Sequence, residues 1–503
     1  MILIENPNKI KSIVNNFRRN SYKIVLAHGT FDLLHVGHIK HLKFAKKFGQ
    51  KLIVSITADK FVKKGHGRPY FKEMYRKEML ESLEFIDYVF IVNDASAIPA
   101  IKTVKPDFYL KGEEYKDNSN DITKKIKKEK LEVKKYNGKV IYSNEIVYSS
   151  SNLINNYFEN YSNELKNKIH IFKKKDVVNK VLQNLKKIRN KKVLLIGETI
   201  VDEYKYVQPL GKTPKENLIS NLLLKNEIFA GGVLAAGVHL SSFSKKVNIL
   251  TSYDKPILNK IIKKFGSHLK IKNLRLNSLK TIEKIRYVES GLNRKLFQIY
   301  KMIDKPIAIS DEKKIYSYLV KNLNNFDLVI VNDFGHNFLT PKTIKYIQSN
   351  SKFLAVNAQS NSSNQGYNLI TKYKKADYVC IDYPEAKLAS KNKFLSPEKI
   401  YRNILSKKID TNKFAITLGK DGSIVFDKNK QFKLPVFSNK IVDTMGAGDA
   451  YFVITSLFAS CGFEIDEIAL IGNTIGSLKT NIRGHSKKID FESFLSYLST
   501  ILK

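Results

Sequence analysis

Two blocks of alternating apolar strands and amphipathic helices, parted by a strandless charged stretch, constrain this chain more than any other feature. Strand–helix–strand units close into parallel sheets covered by helices, and ligands of such sheets gather at the carboxyl ends of the strands. In the first block KIVLAHG reads as a short strand and HIKHLKFAKKFG as a helix with Ile39, Leu42 and Ala45 on one face. KLIVSIT, DYVFIV and KPDFYLKG then read as further strands. From about Asn155 to Asn190 the chain is polar, charged and helix-forming. The second block opens on KKVLLIGETIVDEY, passes through the glycine-rich FAGGVLAAG, and carries strand patterns in FDLVIVNDF, KFLAVNA, DYVCID and KFAITLG. The expectation is an α/β chain without internal repeats. Its parts would be a domain over 1–160, a helical linker over 161–190 and a second domain over 191–503.

Composition bounds the alternatives. A chain of 503 residues, 43% of them hydrophobic, is long enough for two or three domains with sizeable cores. Two cysteines, Cys380 and Cys461, make neither a disulfide framework nor a zinc cage. The amino-terminal segment turns polar after four apolar residues, too soon for a signal-peptide core, and no later apolar run has membrane-spanning length. A soluble, cytoplasmic protein is expected, with no membrane partner. The formal charge of +40 is spread over lysines along the whole chain rather than gathered in one arm. It therefore favours anionic substrates by long-range attraction without calling for a nucleic-acid partner.

The first chemical signature is Gly29-Thr30-Phe31-Asp32-Leu33-Leu34-His35-Val36-Gly37-His38, directly after a strand. Attack of a phosphate oxygen on the α-phosphate of a nucleotide asks the protein mainly for positive charge and hydrogen-bond donors. His35 and His38, three apart at a helix start, can project to one side, where the helix amino end also favours anions. Gly29 and Gly37 let the backbone come close. Two histidines near a helix start would by themselves be surface polar residues; after G-T-F-D they read as phosphate chemistry. At these residues the block resembles the cytidylyltransferase-like nucleotidyltransferases. Gly65-His66-Gly67-Arg68-Pro69, Arg76, Lys105-Pro106-Asp107, Lys111-Gly112-Glu113-Glu114-Tyr115 and Ser149-Ser150-Ser151-Asn152-Leu153-Ile154 follow in the order of its heptose-1-phosphate adenylyltransferase branch. The glycerol-3-phosphate cytidylyltransferase branch is less similar, since Asn144-Glu145-Ile146-Val147 stands where it has R-T-E-G. The resemblance implies a Rossmann-like domain in which His35 and His38 are catalytic. Gly29, Thr30, Phe31, Lys46, Arg68, Lys111, Gly112, Ser149, Ser150 and Ser151 would bind nucleotide and phosphate. Solvated basic residues remain the plain alternative for Arg68 and Lys111, and His28, His41 and His66 are left unassigned.

The second signature, Asp443-Thr444-Met445-Gly446-Ala447-Gly448-Asp449, suits transfer of a γ-phosphoryl group to a hydroxyl. A glycine turn entering a helix offers N–H groups to the developing charge, and a carboxylate beside it can take the hydroxyl proton. It resembles the ribokinase or PfkB sugar kinases, which implies a ribokinase-like domain with Asp449 as base and Gly446, Ala447 and Gly448 as anion hole. Thr417, Gly419, Gly422 and Asn473 would lie on the nucleotide side, and Asp382 and Glu385 would organise Mg2+. Within that family the heptose-7-phosphate kinases are most similar, through Val193–Glu198 with Asp202, Gly211–Glu216 and Lys284-Ile285-Arg286. Asp202, Gly231, Gly232, Lys284 and Arg286 are accordingly expected at the substrate, with a turn or cap role as the plain alternative for Asp202. The departures fall on the acceptor side: Val233-Leu234 follows Gly231-Gly232, Asp333-Phe334-Gly335-His336-Asn337 replaces D-Y-x-K-G, and Asn357-Ala358-Gln359 replaces D-P-K. An acceptor decorated differently from heptose 7-phosphate is expected, unless Lys284 or Arg286 still clamps a phosphate.

Together the resemblances imply a bifunctional enzyme of activated-heptose synthesis for lipopolysaccharide, with the two domains in the order opposite to the usual one. ATP, Mg2+, a sugar phosphate and an NTP, either ATP or CTP, are the expected small molecules, and a homodimer is allowed. Activation of another polyol or sugar phosphate stays open. So does a nucleotide-binding or nucleic-acid-associated protein without turnover.

Overall fold

In the computed structural model, residues 6–65, 67–116, 125–144, 162–265, 269–292, 294–437 and 441–502 are described. They fall into two compact units, Met1–Val178 with Glu492–Lys503, and Asn179–Phe491. The division differs from the expected 1–160, 161–190 and 191–503. The charged stretch is helical over Asn163–Lys174, Val177–Gln183 and Leu185–Asn190, but it is shared between the units rather than standing apart. Its apolar residues explain why: Leu165, Ile169, Phe172, Val181 and Ile188 are buried.

The first unit holds a five-stranded parallel sheet of β1 (Ile24–Gly29), β2 (Lys51–Thr57), β3 (Tyr88–Val92), β4 (Phe108–Gly112) and β5 (Lys139–Ser143) in the order β3-β2-β1-β4-β5. Alternate side chains feed cores on opposite faces. Ile24, Leu26 and Ile53 enter one, and Val25, Ala27, Leu52 and Val54 the other. Burial on both faces is why these strands read as continuous apolar runs. The chain walks outward from β1 to β3 and returns to β4 on the other side of β1. The carboxyl ends of β1 and β4 therefore flank the switch point where such sheets open a crevice.

The second unit contains a nine-stranded sheet and a four-stranded one. The large sheet uses β6 (Lys192–Gly197), β9 (Lys246–Thr251), β10 (Leu269–Asn273), β13 (Leu328–Asp333), β14 (Leu354–Ala358), β15 (Lys375–Asp382), β16 (Asp410–Thr417), β17 (Ser423–Phe426) and β18 (Gln431–Leu434). Its order is β10-β9-β6-β13-β14-β15-β16-β17-β18, parallel as far as β16 and antiparallel beyond. The small sheet, β12-β11-β7-β8, pairs β7 (Thr199–Lys212), β8 (Ile219–Gly232), β11 (Ile282–Glu289) and β12 (Arg294–Lys301). The helix Ala447–Ser460 is buried from Ala450 to Ala459, as a sequence apolar on all sides apart from Thr455 and Ser456 requires of a central helix. Tyr378 and Thr455 share a buried hydroxyl hydrogen bond of 2.9 Å beneath it. Among the described residues no helix is long and apolar enough to cross a membrane.

Candidate active sites

In the first unit β1 runs out at Gly29, Phe31 takes a left-handed conformation, and His35 caps the helix Val36–Lys46 with its Nδ1 accepting from Gly37 N at 3.1 Å. That cap brings the His35 and His38 rings to 4.0 Å between centroids, with Phe31 edge-on to His38 at 5.3 Å. A side chain at Gly29 would press on the Phe31 ring. Burial, reinforced by His35, Lys64 and His41, lowers the pKa of His38 to about 3, and burial lowers that of His35 too. Both rings are therefore neutral in the free protein at pH 7, and His38 also bonds the Leu33 backbone. The buried Nε2 of His35 has no hydrogen-bond partner among the described residues, an atom left over for a ligand.

The turn is held from beneath. Buried Arg76 donates to the Thr30 carbonyl at 2.6 Å, to those of Thr57 and Phe71 at 2.8 and 2.9 Å, and to Asp59 at 2.6 Å. Asp32 accepts from the N–H groups of Tyr70 at 2.5 Å and Phe71 at 3.1 Å, and faces Arg68 at 3.8 Å. Lys111, at the end of β4, pairs with Glu129 at 2.9 Å. Burial pushes the Glu129 carboxyl up, but Lys111, His28 and the Ala97 N–H bring it down to about 2. Arg68 and Lys111 thus stand by the crevice with carboxylate partners of their own.

Lys46 is a correction. It lies at the far end of its helix, bonded to Asp87 and to the Gln50 carbonyl at the amino edge of the sheet, because eleven helical residues carry it away from the strand ends that His35 starts from. His28 bonds Ser55 and Thr57, and His41 bonds Ser143. Ser149, Ser150, Ser151 and His66 lie outside the described residues.

In the second unit Gly446, at φ 70°, turns the chain into the helix that begins at Ala447. Asp449, in its first turn, accepts on one oxygen from Asn332 at 3.1 Å and Gln359 at 2.5 Å, residues at the carboxyl ends of β13 and β14. Burial raises its pKa, and the two amides and Lys284 oppose that rise. A cavity of about 840 Å3 opens beside it, brought together from Asp382, Thr417, Gly419, Gly422, Ala447, Gly448 and Asn473 among others. Gly422, at φ 91°, could carry no side chain, since a Cβ would sit 2.0 Å from the Leu434 carbonyl.

Three expectations change in detail. Asn473 lines the cavity, but its amide is spent on Ser423 at 2.8 Å and on the Leu434 and Pro435 carbonyls at 2.8 and 2.9 Å. It braces the wall and has no amide N–H left to donate to a base. Asp382 and Glu385 form a reciprocal capping box at the start of the helix Tyr383–Ser390. Both carboxyls are raised by burial, and Glu385 further by Asp382. Arg286 is committed to Asp202, whose other oxygen faces His485 at 3.6 Å; Gly231 leaves room, as a Cβ there would lie 2.1 Å from Asp202. Gly232, at φ 58°, turns β8 into the next helix. Lys284 has no carboxylate partner among the described residues and lies 5.3 Å from the Tyr300 ring centroid. Sequence reasoning missed Gly476, Ser477 and Thr480 on the cavity wall. A small-residue spacing on an otherwise apolar helix was their only signal.

Residues 26–156 match the cytidylyltransferase-like family and residues 305–490 the pfkB family of carbohydrate kinases. The chain is 40% identical over 126 residues to the bifunctional protein HldE of Campylobacter jejuni, 24% of this chain and 27% of that one. To the HldE of a Nitratiruptor species it is 38% identical over 129 residues, 25% and 28% of the two chains. The aligned part thus spans little more than a quarter of either relative. A solved ribokinase from Thermotoga maritima overlays 61% of this chain and 99% of its own with a TM-score of 0.46 at 17% identity.

Two outcomes follow from the first site. Arg76→Ala strips four acceptors of a buried cation and should destabilise the first unit by about 3 kcal/mol, read as an earlier urea transition of that unit. The second concerns acid. His28, His38 and His41 are held by burial at about 4, 3 and 4, below the roughly 6.5 of a free imidazole. Between these values the unfolded chain binds more protons than the folded one, so stability falls as pH drops from about 6.5 to 4. The urea midpoint of the first unit should be lower at pH 5 than at pH 7.

Proposed function

From a chain that joins a cytidylyltransferase-like domain to a pfkB-family carbohydrate kinase domain, we propose a bifunctional sugar-activating enzyme with two independent sites. The second unit phosphorylates a sugar or sugar phosphate with ATP. The first transfers a nucleotidyl group from an NTP, ATP or CTP, to a sugar 1-phosphate. The product class is a nucleotide-activated, heptose-like sugar for cell-surface polysaccharide, made in the cytoplasm. The observation that carries the reading is the position of Asp449, a half-buried carboxylate in the first turn of a buried helix whose Ala447 and Gly448 line the 840 Å3 cavity.

At the kinase site the first-turn N–H groups of the helix, Gly448 among them, lack intrahelical acceptors and face phosphate oxygens as charge develops. Asp449, made more basic by burial, takes the proton of the attacking hydroxyl. The Asn332 and Gln359 amides hold its carboxylate in one orientation. Asp382 and Glu385 fit a magnesium ion, being oxygen donors whose raised pKa values a neighbouring cation would bring down. When bound, the ion neutralises phosphate charge.

At the transferase site His35 and His38 are neutral until phosphates arrive. The added negative charge favours their protonated form, in which each ring has an N–H to donate as the transition state builds. Arg68 and Lys111 contribute positive potential while Asp32 and Glu129 fix their positions.

The acceptor of the kinase site is read from what surrounds Asp449. Gln359 is turned to the base, Arg286 to Asp202, and burial holds His336 neutral with a pKa of about 4. Of the cations expected at the acceptor, Lys284 alone is without a carboxylate partner among the described residues, and a dianion wants more than one charge-assisted partner. We infer an acceptor whose far end differs from that of heptose 7-phosphate.

The two activities should separate by mutation. His38→Ala should cut nucleotidyl transfer by about 10²–10³-fold and spare phosphorylation. Asp449→Asn should cut phosphorylation by about 10²-fold or more and spare nucleotidyl transfer. Loss of both from either change in a folded protein would overturn the assignment. For the acceptor, steady-state kinetics should favour sugars without the terminal phosphate. Heptose 7-phosphate turning over with kcat/KM of about 10⁴ M⁻¹s⁻¹ or more, while unphosphorylated sugars do not, would refute it.

A further inference from the structure

The second unit buries an ammonium group that the proposed chemistry leaves unused. Lys479 ends the helix Ile465–Lys479 and is fully buried. Its Nζ donates to the Met445 carbonyl at 2.5 Å and the Gly484 carbonyl at 2.8 Å. The N–H groups of the same two residues both go to one carboxylate, Met445 to Asp443 Oδ1 at 3.1 Å and Gly484 to Asp443 Oδ2 at 2.8 Å. Two residues distant in sequence are thus held by a single anion on their N–H side and a single cation on their C=O side.

This clamp sits directly under the glycine turn. Met445 precedes Gly446, where a Cβ would lie 2.6 Å from the His485 ring, so the turn is pressed against the loop that Gly484 belongs to. The Thr480 carbonyl accepts from Val442 and Asp443 N–H at 2.9 and 3.0 Å and ties the same two segments together. A buried ammonium is costly without full pairing, and this one has two carbonyls and the field of Asp443, Asp449 and Asp202. Burial lowers its pKa, those three carboxylates oppose the fall, Lys295 adds to it, and the balance is about 8. The group is therefore charged at neutral pH.

We propose that Lys479 is a positioning residue for phosphoryl transfer, a built-in monovalent cation that holds the Asp443–Gly448 turn in the shape that presents its helix-terminal N–H groups to the transferring phosphoryl group. The inference rests on the kinase reading of this site and deepens it. A lysine that merely stabilised the fold would lower the melting temperature when replaced. It would not divide kcat from KM, and a small cation would not replace it.

The test uses the full chain. Lys479→Met should lower kcat for sugar phosphorylation by about 100-fold, as misplacement of a reacting array does, with the KM for sugar within a few-fold of wild type. Nucleotidyl transfer by the same preparation should be unchanged. Lys479→Ala leaves a cavity between the same carbonyls and Asp443, and potassium or ammonium chloride should restore part of its activity saturably where tetramethylammonium chloride at equal ionic strength does not. Wild type, carrying its own cation, should work equally in all three salts. Wild-type kcat in Lys479→Met, no rescue of Lys479→Ala by either small cation, or a wild-type requirement for potassium would each overturn the proposal. Hydrogen exchange separates it from the kinase reading: faster exchange across 443–448 in Lys479→Met supports the clamp with or without turnover, and unchanged exchange overturns it. Absence of phosphorylation by wild type with every sugar offered would overturn the kinase reading instead.

Discussion

A glycine turn that feeds a helix is useful to phosphate chemistry because its N–H groups have no partner, and for the same reason it does not hold its own shape. The two units meet this constraint alike. In the first, Arg76 grips the Thr30 carbonyl of the turn while Asp32 gathers the N–H groups of Tyr70 and Phe71. In the second, Lys479 grips the Met445 carbonyl while Asp443 gathers those of Met445 and Gly484. Each turn is thus set by a buried cation on its carbonyl side and a buried carboxylate on N–H groups of the adjoining chain. Remove that support and the neighbouring ring pair or carboxylate loses its fixed position, whatever its own identity.

Electrostatics around the two turns run in opposite senses. The first site holds imidazoles in their neutral form, by burial and, at His38, also by the nearness of His35. The second holds carboxylates more basic than usual, Asp449 and the Asp382–Glu385 pair, again by burial. Both are states that a ligand of opposite charge would relieve, an anion in the first case and a cation or a proton in the second. The formal +40 of the chain acts at longer range and attracts anions whether or not the local cations have partners.

Much of this was open to reading along the chain. β1, β2, β13 and β14 were legible because strands buried on both faces are unbroken apolar runs. The two boxes were legible because strand, glycine turn and helix are contiguous, so local order places His35, His38 and Asp449. The four-stranded sheet was not. β8 and β12 expose most of their side chains and mix Leu, Lys and Asn without a two-residue period, leaving pairing between distant segments to define them. Lys46 misled for the opposite reason: it follows the box in sequence, but its helix ends at the other edge of the sheet.

What the sequence by itself determined is the α/β character of both blocks and the residues at each strand-to-helix turn, since these depend on neighbours in the chain. What only the tertiary structure decided is how those residues are employed. That Arg286 belongs to Asp202, Asn473 to the cavity wall, Gln359 to Asp449, and Lys479 to two carbonyls under the turn follows from approaches between segments far apart in sequence. A polar side chain looks the same in a sequence whether it is spare or spent. Burial removes water as the default partner, and only the fold says which group takes its place.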